Sequence, residues 1–330
     1  MISKFLLHIP KPVKTIIREF LKITGLLYVF GRAFLKHACP NKEKHYIFIY
    51  QGIGDIIIAR GYIDEYIKRN GIAPEKVCFV LLNRNKQVYD MYSDNYDRRI
   101  IGELTYRFLG AFFFSDRGYK TIHEKENLTL IYTGVNMKTC WNYMYNMPGM
   151  NFMYFVKYGI LNLDDSAEFL YPRIEVKDKS HIESYQLKAD SFVVLNPYAN
   201  SLYNELSDTF WEELAKGLQE KGLRVFTDCG KGDKPVINGT EHMATTMSEM
   251  YEISKECKAY IGIRSGMLDL LSLNGCNIVA LYPKTEKYKD EYFQAFDINA
   301  LNRLLGRPEI NRQFKANDEQ ETLRVVLDLF

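Results

Sequence analysis

The stretch HYIFIYQGIGDIIIARGYIDEYIKRNG, residues 45–71, sets the reading of the whole chain. Its first part, His45 to Tyr50, is a short apolar and aromatic run of strand length. Gly52 and Gly54 break that run, and from Asp55 to Arg69 the apolar residues recur at helical spacing until Asn70-Gly71 stops them. A strand, a glycine turn and a helix in this order form half of a parallel β-α-β unit. The pattern recurs downstream. Val77–Leu82 and Leu128–Tyr132 read as further strands with helical stretches between them. After an irregular segment from Met147 to Lys188, containing Pro148, Gly149 and Pro172, the alternation restarts. It runs through strand Phe192–Asn196, helix Asp208–Lys221 closed by Gly222, strand Leu223–Thr227, helix Ser248–Cys257, strand Ala259–Ile263, helix Ser265–Leu273 and strand Asn277–Tyr282. Such alternation implies parallel sheets covered by helices.

A chain of 330 residues with 47% hydrophobic and 25% charged residues has the composition of a folded protein and the length for two domains. The organisation expected is a basic segment over 1–44, an α/β domain over 45–175 and a second over 176–330, with a domain boundary near Pro172–Lys188 and a terminal helix within Asp318–Phe330. The net charge of +2 argues against a nucleic-acid partner, whose binding draws on a basic face. The balance is uneven, however. Ahead of the first strand Lys4, Lys11, Lys14, Arg18, Lys22, Arg32, Lys36, Lys42 and Lys44 face only Glu19 and Glu43. The apolar run Ile23–Phe30 in this segment falls well short of the roughly 18–20 residues that span a bilayer, and no small-residue cleavage site follows it. Two readings remain: an interfacial helix with its cations on anionic lipid headgroups, or an amphipathic helix packed on its own domain. The six cysteines and six histidines are scattered without CxxC or metal-ligand spacing, so neither a disulfide framework nor a metal site is expected.

Three loops at the carboxyl ends of strands are candidate ligand sites, because doubly wound sheets bind there. In the first, Gln51 to Asp55, Gly52 and Gly54 let the backbone approach a ligand, and Asp55 is either a reactive carboxylate or a cap on its own helix. This loop is no dinucleotide fingerprint, since Ile57 stands where a third glycine or alanine would be needed. In the second, Asn196-Pro197-Tyr198-Ala199-Asn200-Ser201 offers amides and hydroxyls to a sugar or phosphate. In the third, Gly262-Ile263-Arg264-Ser265-Gly266-Met267-Leu268-Asp269 passes from strand to helix, and a helix amino terminus suits a diphosphate. Lys231, in the loop Gly230–Lys234, is within reach of the same strand ends. There is no GxxxxGK[ST] loop and no DxD pair, which weighs against ATP-driven and metal-dependent transfer.

Taken together, these features resemble the heptosyltransferase-like family of glycosyltransferases (glycosyltransferase family 9-like). The resemblance rests on Gly54-Asp55 ahead of an apolar helix, and on the later order of Asn196-Pro197, the Trp211 helix, the Leu223–Thr227 strand, Met247-Ser248-Glu249-Met250, Tyr260-Ile261-Gly262, Ser265-Gly266 and the Ile278–Tyr282 strand. It covers His45–Asn70 and Ser191–Pro283. It implies two Rossmann-like α/β domains facing a cleft (GT-B type), the first binding the acceptor and the second the nucleotide sugar, with inverting transfer and no metal or other cofactor. Asp55 would be the general base, Gly52 and Gly54 would form the acceptor-side loop, and Asn196, Tyr198, Ser201, Lys231, Arg264, Ser265, Gly266 and Asp269 would bind the donor. The chain departs from the family pattern at Arg264, where an acidic residue is usual, and at Asp269, where histidine is usual. It also has no Lys or Arg from Tyr198 to Trp211. Phosphate charge would then fall to Arg264, Lys231 or the helix terminus, and a donor sugar other than heptose is expected. The function expected is transfer of a sugar to a capsule, O-antigen or lipopolysaccharide-type acceptor, glycan or lipid-linked, in the cytoplasm and peripheral to the inner membrane face. The rivals are a GT-B-like non-glycosyl transferase, for example of pyruvyl groups, and an inactive glycan- or nucleotide-binding protein.

Overall fold

The computed structural model describes residues 25–50, 52–123, 125–131, 151–199, 206–232, 234–283 and 291–330. The described residues divide into two compact units: 25–50, 58–131 and 156–170 form one, and 52–57, 151–155 and 171–330 the other. Residues 1–24, Asn200, Ser201 and Cys140, together with 132–150 at the start of the irregular middle segment, lie outside the described residues.

In the first unit the elements are α1 (Leu26–Ala38), β1 (His45–Ile49), α2 (Ile53–Arg69), β2 (Val77–Leu82), β3 (Asp97–Ile101), α3 (Glu103–Phe113), α4 (Asp116–His123) and β4 (Leu128–Ile131). Four parallel strands lie in the order β3-β2-β1-β4, with His45 opposite Val77 and Tyr46 opposite Leu128. Every residue of β2 is buried, as is all of β1 after His45. Strands covered on both faces need apolar side chains in both directions, which is why these runs are continuous and not alternating. β3 is an edge strand with the polar sequence DRRII, and nothing in its pattern announced it.

The described part of the basic amino-terminal segment packs on its own unit. Leu27, Leu35 and Ala38 of α1 are buried against α3, and a Cβ at Gly31 would lie 2.3 Å from Phe112 Cδ2, so only glycine admits that ring. Behind this sheet Arg60, fully buried, donates to Asp64 at 2.8 Å and Asp94 at 2.6 Å. Its guanidinium also lies over the rings of Phe79, Tyr92 and Tyr96. Two carboxylates and three aromatic faces thus replace the water this cation has lost.

The second unit is built on β5 (Phe192–Asn196), α5 (Asp208–Glu220), β6 (Arg224–Asp228), β7 (Glu241–Met243), α6 (Met247–Ile253), β8 (Ala259–Ile263), α7 (Gly266–Ser272), β9 (Ile278–Pro283), β10 (Arg312–Ala316) and α8 (Glu319–Leu327). Six parallel strands run in the order β10-β9-β8-β5-β6-β7, so chain progress reverses between β5 and β8. α5 starts where Ser207 accepts the Phe210 N–H, and it buries Phe210, Trp211, Leu214 and Leu218 against Val193, Val225 and Ile261. Each large apolar side chain buried in this way contributes about 1.5–3 kcal/mol. α8 closes the layer on α5, with Leu327 filling the space above Gly217.

Candidate functional site

The reversal of strand order places the carboxyl ends of β5 and β8 side by side, where ligands bind in open α/β sheets. Backbone approach is close there: a Cβ at Gly262 would stand 2.9 Å from the Asn196 carbonyl oxygen. Asn196 was expected to offer its amide to a donor, but both of its amide hydrogens are committed inside the protein. They go to the Tyr260 hydroxyl at 2.6 Å and Asp228 Oδ2 at 3.2 Å, while Oδ1 accepts the Tyr198 N–H at 3.0 Å. The Tyr260 hydroxyl in turn donates to Asp228 Oδ2 at 2.7 Å, and Asp228 Oδ1 accepts the Gly230 N–H at 2.9 Å. Asn196 therefore shapes the loop, and buried Asp228 and Tyr260 are its partners. Neither was singled out from sequence, where an acid ending one strand and a tyrosine inside another look ordinary.

The same network holds the turn that carries Lys231. Gly230 and Gly232, at φ 57° and 84°, adopt left-handed backbone on either side of it, and Lys231 itself is exposed. Tyr198 donates its hydroxyl to the Pro235 carbonyl, and the Lys234 ammonium sits 5.0 Å from its ring centre. Burial pushes proton loss from the Tyr198 hydroxyl to higher pH. The loop after β5 and the loop after β6 are thus one connected surface, with Lys231 as an exposed cation on it.

The remaining candidates form a second cluster in the same unit. The first turn of α2, residues 52–57, which carries Gly52 and Gly54, groups with this unit. Gly54 and Gly266 meet backbone to backbone: a Cβ on Gly266 would lie 2.3 Å from the Gly54 nitrogen, and one on Gly54 would lie 2.3 Å from Asp269 Oδ2. Space, not a special dihedral, requires both glycines. Asp55, at the third position of its helix, accepts the Gly52 N–H at 3.0 Å, which is half of a capping box. It thus caps its helix as the alternative reading expected, yet keeps partial exposure. Burial of its carboxyl pushes the pKa up to about 7, opposed by the Gly52 N–H and Arg264 and reinforced by the negative charge of Asp269.

Arg264 corrects the sequence expectation most clearly. It was assigned to donor phosphate, but its side chain is buried and paired with Asp269 through both terminal nitrogens, at 3.0 and 2.6 Å. It also donates to the carbonyls of Phe296 at 2.9 Å and Ser265 at 2.7 Å. Asp269 is equally buried, so neither residue is placed to bind a ligand directly. The two departures from the family pattern are each other's partner. Ser265 stands at the amino end of α7 without capping it, and its buried hydroxyl has no hydrogen-bond partner. Ser201 lies outside the described residues. Among the described residues there is no cluster of three metal-ligating side chains, and no helix is long and apolar enough to cross a membrane.

With this geometry in view, the chain is similar to several solved structures over most of its length. One is the ADP-heptose LPS heptosyltransferase II of E. coli, at 11% identity and a TM-score of 0.54, covering 87% of this chain and 98% of that one. A family 9 glycosyl transferase from Veillonella parvula matches at 14% identity and 0.51, covering 88% and 99%. The E. coli heptosyltransferase WaaC with ADP matches at 10% identity and 0.52, covering 86% and 98%. At such identities the likeness defines the fold: this is the two-domain, Rossmann-like GT-B fold of the heptosyltransferases, as the sequence resemblance implied. No protein-family model matches the chain, and no curated protein matches it in sequence.

Proposed function

We propose that the chain is an inverting glycosyltransferase that moves a sugar from a nucleotide donor to a bacterial surface-glycan acceptor of capsule, O-antigen or lipopolysaccharide type, without a metal. The observation that carries this is Asp55. On a GT-B fold, the carboxyl of a partly exposed residue at the turn after the first strand is held by a backbone N–H, and burial of that carboxyl raises its pKa to about 7. A carboxylate of that pKa is basic enough to take the proton of an acceptor hydroxyl as the new glycosidic bond forms, and about half of it is ionised at neutral pH. Lys231, Tyr198 and the amino end of α7 at Ser265 and Gly266 are the groups assigned to the donor. Arg264 is withdrawn from that role. The heptosyltransferase neighbours include one with ADP, so a nucleoside diphosphate leaving group is the chemistry assigned here.

The enzyme is placed in the cytoplasm against the inner membrane face. Support comes from α1, where Leu26, Val29 and Phe30 are exposed on the same helix as Arg32 and Lys36. Apolar tips among cations suit an anionic lipid surface. A donor panel tests the proposal: UDP-, GDP-, ADP-, dTDP- and CMP-sugars are screened in EDTA by thermal shift and by slow hydrolysis. One donor is expected to raise the melting temperature and to be turned over. If no sugar nucleotide shifts it, the assignment of Ser265, Gly266 and Lys231 to a donor fails; binding without turnover would favour the inactive-protein alternative.

A further inference from the structure

The Arg264–Asp269 pair is built more rigidly than a turn between β8 and α7 requires. Both carboxylate oxygens of Asp269 accept from the guanidinium, and two carbonyls, of Phe296 and Ser265, hold the same guanidinium from other sides. The pair has zero net charge, but its two ends are not equivalent with respect to Asp55. The negative end is the one pressed on the Asp55 loop, since Asp269 Oδ2 occupies the space a Cβ of Gly54 would need. That contact exists only because Gly266 lets the Gly54 backbone come so close.

We propose that the Arg264–Asp269 pair is a positioning device for Asp55: it seats the Gly54–Asp55 peptide on the start of α7 and sets the electrostatic field in which the Asp55 carboxyl gains and loses its proton. This deepens the assignment of Asp55 as base, and adds two residues that act through Asp55 and touch no substrate. Among the described residues, the charged groups that act on Asp55 include these two, both from the β8–α7 segment, and the backbone N–H groups of Gly52 and of Asp55 itself hold its charged form. Of the two, the negative charge of Asp269 acts more strongly than the positive charge of Arg264. Removing the acid while keeping the arginine therefore makes Asp55 more acidic. Removing the arginine while keeping the acid makes it less acidic, and replacing both by apolar residues leaves it somewhat more acidic than in the wild type.

The test is a carboxyl carbon NMR titration of aspartate-labelled protein, with the Asp55 signal identified by its loss in Asp55→Asn. Asp269→Asn is expected to lower the Asp55 midpoint by about one pH unit or more. Arg264→Met should raise it, and Arg264→Lys should return it close to the wild-type value. The double variant Arg264→Met, Asp269→Leu removes both buried charges, a change that buried ion pairs often tolerate, and so keeps the test available if a single variant fails to fold. It too should show a lowered midpoint. A midpoint that stays within about 0.2 unit in folded Asp269→Asn, or in the double variant, overturns the inference. The readout does not depend on catalysis: if the midpoint moves while Asp55→Asn still turns donor over, the base assignment fails and the field inference stands.

Discussion

Among the described residues each unit buries one arginine, and the two are solved differently. Arg60 in the first unit is closed off completely, with two carboxylates and three aromatic rings around it and no candidate site residue among them. Arg264 in the second unit has one carboxylate, and that carboxylate borders the loop of Asp55. The first arrangement spreads the compensation of a buried cation over a helix, a strand and a loop, and so acts as architecture. The second concentrates it in one acid whose other neighbour is the candidate base, so a charge change there reaches the chemistry. The same residue type, buried to a similar degree, serves stability in one place and reactivity in the other.

The largest effect should come from breaking the architectural arginine. Arg60→Met takes from buried Asp94 its nearer cation, leaving only Arg98 at 3.5 Å, and is expected to cost about 3 kcal/mol in chemical denaturation, while leaving the Asp55 titration where it is. A shift of that titration would erase the distinction between the two arginines. Next is the glycine contact of the second unit. Gly266→Ala drives a methyl into the Gly54 nitrogen, and should cost about 1–3 kcal/mol and reduce turnover more than it reduces donor affinity. Unchanged turnover in a folded Gly266→Ala would show that the seating of Asp55 is not needed.

The pH dependence of stability has a defined sign. The folded state holds the Asp55 proton more tightly than the unfolded chain does, since the pKa rises from 3.8 to about 7. Its contribution is therefore complete below about pH 4 and is lost as pH rises through 7. Asp55→Asn removes that loss, so the variant should gain about 2–3 kcal/mol over the wild type between pH 5 and 8. A difference between the two proteins that is flat with pH would mean an Asp55 with an ordinary pKa. Smallest in stability terms is Val29→Glu on α1, an exposed site where a change within about 0.5 kcal/mol is expected, together with weakened sedimentation with anionic phosphatidylglycerol vesicles. Undiminished vesicle binding would remove α1 from the membrane surface.

The two sheets were legible in the sequence for a physical reason. Strands such as Val77–Leu82 and Ile278–Pro283 are buried on both faces, so their apolar runs are unbroken. Three edge strands escaped, while the edge strand Leu128–Ile131 was read: Asp97–Ile101, Glu241–Met243 and Arg312–Ala316 each carry polar residues at sheet edges, and their pattern is that of a loop. The glycine loops and Asp55 were visible as local signals. What Arg264 does was not, because its partner lies across a strand-to-helix turn and the pairing is a tertiary fact; read singly, a cation beside Ser-Gly suggested phosphate. The grouping of residues 52–57 with the second unit was hidden for the same reason, since it depends on Gly266 meeting Gly54.

The central claim is that Asp55 is the base of a metal-independent sugar transfer, and the most direct measurement is the pH–rate profile of donor turnover in EDTA for the wild type and Asp55→Asn. The wild-type rate should rise with pH through an inflection near 7, and Asp55→Asn should lose about 10²–10⁴-fold in kcat while its donor-induced thermal shift persists. Turnover by Asp55→Asn within a few-fold of the wild type, or turnover that requires an added divalent cation, would contradict the claim.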